Sequence, residues 1–276
     1  MRTTTLIRLI AAALVLPWFC QTAAGARTQE ATAETPALHD PLLQLERETD
    51  DLGRSVFAAF LEYDAATLKD ALGRIEARLD TDEALESDRY LLAQGYVYLL
   101  TIHKFYQQTR PDDPPEAHRD LDPAAVSDQA QEFAKTFAET HPKHSDIHRV
   151  EGELISFQIQ GMVGGMTKGP LARAAVDRAR ELDPQNGWAL FSQARMHFHN
   201  PAFVGGDKEL ALKEFRQVAR SLNRFRVQLY LARAYHAQEM PAQARFWTKK
   251  ALKTAPGNPE ALLFSEQLAE SEQERP

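Results

Sequence analysis

A twelve-residue register punctuated by proline constrains this chain more than any other feature. Pro142 in ETHPKHSD, Pro184 in LDPQNG and Pro256 in TAPGNPE each follow a small residue by twelve positions: Ala130, Ala172 and Ala244. A fourth copy runs from Ala211 to Asn223 without the proline. Each stretch is amphipathic at helical spacing, and proline ends it because its ring offers no amide to continue the hydrogen-bond ladder. About ten positions beyond each stop a new helix presents another small residue, Gly152, Ala194 or Ala232, and Gly95 holds that place in the first copy. Small residues on facing helices let the two axes approach closely. Further upstream Leu52, Val56, Ala59, Phe60 and Tyr63 recur three to four apart, as do Leu68, Leu72, Ile75 and Leu79. No β-branched alternation bounded by turn residues supports a strand. The expectation is an all-α chain of stacked helix hairpins.

Leu231-Ala232-x-x-Tyr235, then Ala244, Ala251 and Pro256, resembles the tetratricopeptide repeat pattern of L-G-x-x-Y, A, A and P, and Phe215 falls on that motif's aromatic position. The resemblance implies an α-solenoid, a right-handed superhelix of about four antiparallel helix hairpins with a C-terminal capping helix, over 86–276. A degenerate helix pair over 41–85 precedes the array in the same structural domain, 41–276. Three copies are stretched: small residue to small residue within the repeat spans 35, 20 and 17 positions, where the last copy spans twelve. The extra residues are turn-rich, at 109–123, 161–170 and 199–207, and within-repeat turns of a solenoid gather on one rim. Asn200-Pro201-x-x-x-Gly205-Gly206-Asp207 is similar to a loop of exported bacterial helical-repeat proteins, among them partners of periplasmic TRAP-type transporters.

The N-terminus reads as an export signal. Arg2 and Arg8 precede the apolar run Leu9 to Phe19, and Ala24-Gly25-Ala26 offers a cleavage site. The run is too short to span a bilayer. Cys20, the one cysteine, lies inside this segment, and Pro17, Trp18 and Phe19 stand where a lipidation signal needs small residues. Cleavage after Ala26 leaves a thiol-free chain, which removes disulfides, thiol catalysis and thiolate metal sites together. Residues 27–40 are small and polar and read as a flexible leader. With 43% hydrophobic and 26% charged residues the chain is globular, and its net charge of −7 disfavours nucleic acid. The expected location is the periplasm or the exterior, with no membrane insertion of the mature chain.

Counting from each small residue, the concave face should carry Arg89, Leu92, Tyr96 and Leu99, then Arg149, Glu153 and Phe157. It continues with Trp188, Phe191, Arg195, Phe198 and His199, and with Arg226, Leu229, Arg233 and His236. Five arginines against one glutamate, interleaved with rings, suit carboxylates held bidentately beside apolar contact area. The competing reading places Phe191, Phe198 and Leu229 in the core and pairs the arginines with neighbouring acids. Met162, Met166, Phe203 and Val204 fall on the inserted turns as an apolar rim, for local packing or as a ligand lip.

His141, His144 and His148, with Glu151, lack a recognised metal spacing and read as a solvated inter-repeat turn, so no metal or cofactor is expected. Gly164-Gly165 and Gly205-Gly206 lack the phosphate-binding patterns, and no nucleophile–base constellation can be assembled, so catalysis is not expected. Two functions remain. The first is an exported adaptor that binds an acidic protein or peptide partner in the groove. The alternative is a small-ligand-binding accessory of a periplasmic transporter, its ligand apolar and its pocket closed by the rim loops. An open groove favours the first, a single deep pocket the second.

Overall fold

The computed structural model describes residues 37–273. The export signal, its cleavage site after Ala26, Cys20 and leader residues 27–36 lie outside the described residues. Among the described residues there are thirteen α-helices, one 3₁₀ turn and no strand. They are α1 (Pro41–Glu48), α2 (Asp51–Glu62), α3 (Ala65–Arg78), α4 (Asp88–Thr109), the short α5 (Glu116–Arg119), α6 (Pro123–Thr140), α7 (Ser145–Phe157), α8 (Gly161–Leu182), α9 (Gly187–His199), α10 (Lys208–Ser221), α11 (Phe225–Ala237), α12 (Pro241–Thr254) and α13 (Pro259–Gln273). None is long and apolar enough to cross a membrane.

The helices pair as hairpins, α2–α3, α4–α6, α7–α8, α9–α10 and α11–α12, with α13 closing the stack. Pro142, Pro184 and Pro256 sit in the turns that separate one hairpin from the next, and Ala130, Ala172, Ala211 and Ala244 are buried on the second helices. The register works by close approach: a Cβ at Gly152 on α7 would lie 2.8 Å from the Ala172 carbonyl oxygen on α8. Side-chain caps start the helices, with Asp50 on α2, Asp64 on α3, Asp122 on α6, Asn186 on α9 and Asp207 on α10 each accepting first-turn amides. The all-α solenoid is therefore built as the repeat spacing implies.

Two segments depart from the expected loops. The stretch 161–170 is helical: α8 begins at Gly161, in left-handed conformation (φ 61°), and runs through Pro170. Met162 and Met166 therefore ride on a helix, 79% and 72% exposed. Residues 37–40, placed by composition in the leader, are docked. The His39 amide donates to the Gln185 carbonyl (3.0 Å), Gly187 donates back to His39 (3.0 Å), and Leu38 is buried. Asp40 then takes the Trp188 indole N–H (2.8 Å) and Arg224 Nε (2.6 Å). Composition missed this because the ordering comes from partners about 150 residues away.

The two ends of the array also meet. Tyr63, just past α2, donates its hydroxyl to Glu260 on α13, and the Asn258 side chain, which caps α13, donates to the Leu61 carbonyl (2.9 Å). The stack curls until its first hairpin touches its cap, so the concave side is a bowl whose two ends meet while its mouth stays open.

Candidate functional site

The first helix of each later hairpin, α4, α7, α9 and α11, and the cap α13 turn one stripe each towards the inside. Together they line a half-open cavity of ≈640 Å³. Its walls are Thr101, Lys104, Phe105 and Gln108 from α4, Glu153 and Phe157 from α7, and Ser192, Arg195 and His199 from α9. Arg226, Tyr230 and Arg233 come from α11, and Glu260, Leu263 and Phe264 from α13. The three-to-four spacing within each set is what places one stripe of a helix on one surface.

Glu153 is the electrostatic centre of the floor. It accepts from Ser192 Oγ and lies 3.2 Å from Arg195, 3.5 Å from Arg149 and 3.9 Å from Arg226. Burial pushes its carboxyl up, but Arg195, Arg149 and Arg226 outweigh that and hold it down at about 2, so it is ionised. Arg233 pairs with Glu260 (2.7 Å), which is itself held below the usual carboxylate range despite burial. Arg195, Arg226, Arg233 and Lys104 thus face only Glu153 and Glu260, an excess of positive charge. Burial raises the phenol of Tyr230, yet the nearby Arg195, Arg226 and Arg233 bring it below its ordinary value. His199 is driven down to about 4 by desolvation and by Arg195, Lys104 and Arg233, so it is neutral at pH 7.

Aromatic rings hold the guanidinium groups in place. Arg195 lies over Phe191 and Tyr230 (5.9 and 5.3 Å to the centroids), Arg226 over Phe60 and Phe191 (5.6 and 5.8 Å), and Arg233 over Tyr230 and Phe264 (both 5.6 Å). Arg226, only 5% exposed, makes no hydrogen bond among the described residues, and the buried Nε of Arg195 also lacks a partner. A buried guanidinium donor without an acceptor is costly, and Arg195, like Arg226, borders an open space.

Six residues expected on the concave face line this cavity: Glu153, Phe157, Arg195, His199, Arg226 and Arg233. The others do not. Arg149 is 1% exposed and locked inside a polar strut: its Nε donates to Asp146 (3.0 Å) and its Nη2 to Gln94 (2.5 Å), while Asp146 also accepts from Tyr90 (2.6 Å) and Asn186 (3.1 Å). Trp188 and Phe191 are core, Phe198 packs edge-on against Phe215, and His236 stands beside Phe264 outside the lining. The rim residues Met162, Met166, Phe203 and Val204 are exposed and take no part in the lining.

The missed residues have visible reasons. Tyr230 stands one turn from both Arg226 and Arg233, whereas Leu229 beside it points into the core. Lys104 and Phe105 lie on a further turn of the long α4, and Glu260 and Phe264 lie on a helix expected only to cap.

The histidines of the inter-repeat turn take separate partners. His141 stacks on Phe137 (4.2 Å) and reaches Glu86 (2.9 Å), His144 caps α7 by accepting from Ile147, and His148 bonds Glu151 (2.8 Å).

No family model matches the chain, and no curated protein matches it. Among solved structures it is similar to a thermophilic TPR protein of Thermus thermophilus, with TM-score 0.54 and 15% identity over 79% of this chain and 98% of that one. It is also similar to the HusA haemophore from Porphyromonas gingivalis, with TM-score 0.46 and 19% identity over 81% and 93%. The likeness to TRAP-transporter partners finds no support in these neighbours. The first of them, read with the repeat register and the hairpin stack, makes the fold a tetratricopeptide-type α-solenoid.

Proposed function

We propose that this chain is an exported, non-catalytic binding protein whose curled solenoid takes a small ligand with an anionic group and an apolar body. The observation that carries the reading is Arg226: a guanidinium held between two rings at the cavity floor, with its nearest carboxylate oxygen 3.9 Å away and no hydrogen bond. A carboxylate entering beside Arg195 and Arg226 would receive charge-assisted bonds from donors already immobilised, so little ordering entropy opposes it. Phe157, Phe105, Leu263 and Phe264 supply the apolar wall. The cavity volume falls within the range of about 300–1,000 Å³ usual for small-molecule sites.

Between the two functions left open by the sequence, closure favours the small-ligand one. A peptide threading the concave side needs an open channel, and the contacts of α2 with α13 interrupt it. The ligand is anionic rather than purely apolar, because the floor carries the excess positive charge. The rim loops do not close this site; α4 and α13 do.

The anionic dye 1-anilinonaphthalene-8-sulfonate tests the reading. Native protein should bind it at one site, and Arg226→Met should weaken binding by about tenfold or more, the scale of one lost charged hydrogen bond. Equal affinity in the variant would defeat the proposal. Mass spectrometry of the protein recovered from a secreting host should place the mature N-terminus at Arg27.

A further inference from the structure

The two glycine-rich segments that the cavity does not use share a chemistry. Met162, Val163 and Met166 on the first two turns of α8, and Phe203 and Val204 on the 3₁₀ turn before α10, all stand exposed, Val163 to 76% and Phe203 to 86%. Arg173 of α8 donates to the Val204 carbonyl (3.1 Å), which ties the two segments into one patch. On α12 Phe246 is 61% exposed, and the Lys250 ammonium lies over the ring of Trp247 beside it (4.7 Å to the centroid). Single exposed apolar residues are ordinary, but five gathered on one edge mark an interaction surface.

The same outer helices are basic. Together α8, α10 and α12 carry twelve Lys and Arg against four Asp and Glu, net +8, in a chain whose total is −7. The preceding outer helix, α6, carries one Lys against three acids. Two of the four carboxylates are already engaged, Glu214 by His197 (2.7 Å) and Glu181 by Arg178 (3.4 Å). From Met240 to Pro259 there is no carboxylate side chain. Lys213, Arg216, Lys249 and Lys253 are exposed and have no ion-pair partner among the described residues. Since α11 packs against both α10 and α12, these outer helices follow one another along the convex side.

We propose that this convex face docks on an anionic phospholipid surface. Met162, Met166 and Phe203 enter the boundary between headgroups and acyl chains, while the lysines and arginines of α10 and α12 meet the lipid phosphates. The cations supply attraction that salt screens, and the apolar edge supplies the part that salt leaves intact. That edge selects the occupant: a nucleic acid would use the cations and rings but leave Met162, Val163 and Met166 in water. The Trp247–Lys250 pair suits the headgroup level, where an amphipathic ring and a long cationic side chain sit together. None of the three helices contributes a residue to the cavity, so docking and ligand binding stand or fall separately.

The test uses the full chain carrying Trp18→Phe, which leaves buried Trp188 and half-buried Trp247 as the emitters. Vesicles of phosphatidylcholine mixed with phosphatidylglycerol brominated in its acyl chains should quench Trp247, and vesicles of brominated phosphatidylcholine alone should not. Raising salt to about 0.5 M should weaken the effect. Lys249→Gln/Lys253→Gln should lower vesicle affinity about thirtyfold, the scale of two cations at an anionic surface. Met166→Ser/Phe203→Ser should lower it about tenfold or more. Quenching that is absent, that is equal with the zwitterionic vesicles, or that survives both double substitutions would overturn the proposal. So would polyglutamate that shifts Trp247 emission where the vesicles do not. The comparison of the two lipids leaves the docking face unsubstituted, so it needs no surface variant to fold.

Discussion

Arg149 and Arg226 come from corresponding concave stripes of α7 and α11, and the proposed function gives them opposite tasks that methionine substitution separates. Methionine refills the aliphatic volume of either side chain, so cavity formation contributes little. At Arg149 the loss is electrostatic. Asp146 is fully buried and its carboxyl is held below the usual range mainly by Arg149, against the desolvation that raises it. Without the guanidinium, Tyr90 and Asn186 remain as its neutral donors and Gln94 loses its partner. Breaking a buried pair in this way costs about 3–5 kcal/mol. Asp146→Asn in the same background should recover about 1–3 kcal/mol of that, because the charges are coupled. At Arg226 the remaining carboxylate, Glu153, keeps Arg195 and Arg149, and the loss is two ring contacts at about 0.5–1 kcal/mol each, offset by relief of a buried, unbonded charge. Urea unfolding followed by circular dichroism at 222 nm reads both, as a shift of midpoint at unchanged slope. Arg149→Met should unfold much earlier yet bind the anionic dye while folded, and Arg226→Met should melt within about 1 kcal/mol of native and bind poorly. If Arg149→Met costs less than about 1 kcal/mol, or if Arg226→Met is the more damaging to stability, the division into strut and ligand contact is wrong.

Other outcomes follow from single contacts. Gly206→Ala should destabilise by about 1–3 kcal/mol, since the new Cβ would sit 1.8 Å from the Asn200 carbonyl oxygen, whereas Gly165→Ala in α8, which meets nothing within 4 Å, should be neutral or stabilising; thermal melts compare the two. Tyr63→Phe should cost about 1.5–3 kcal/mol and speed amide exchange at the start of α13, because it removes the bond that closes the bowl onto Glu260. His118, lowered from 6.5 to about 4 by burial, binds its proton more readily when unfolded; stability should be full above pH 6.5, fall as pH drops towards 4, and fall less steeply in His118→Gln. Phe203→Ser, at a side chain 86% exposed, should change neither the melt, within about 0.5 kcal/mol, nor dye binding.

The hairpins were legible in the sequence because their determinants are local. A proline, a small residue and a helical apolar stripe each act within one or two turns, so Pro142, Pro184 and Pro256 mark inter-hairpin turns without knowledge of the rest of the chain. The 161–170 stretch misled for the same reason: its glycines and a proline argue locally against a helix, but Val176, Ala172 and Ala179 anchor α8 in the core, and the extension continues outward from that anchor.

The site depended on closure, and closure accumulates over every repeat. A solenoid's curvature is the sum of small rotations between neighbours, so no single spacing tells whether Tyr63 will reach Glu260. Once they meet, the assignment of every concave residue changes. Arg149, two hairpins from the cap, is sealed beneath Glu153, while Arg226 and Arg233, beside the cap, border the cavity. The reading of the arginines as paired with neighbouring acids is correct for Arg149, and the reading as ligand contacts fits Arg226. The separating variable is depth within the curl, which the sequence pattern treats as equivalent in each copy. On the proposed function, one arginine position serves stability in one copy and binding in another. Exchange of charge at the deep copy should be read in unfolding curves, and at the shallow copy in affinity.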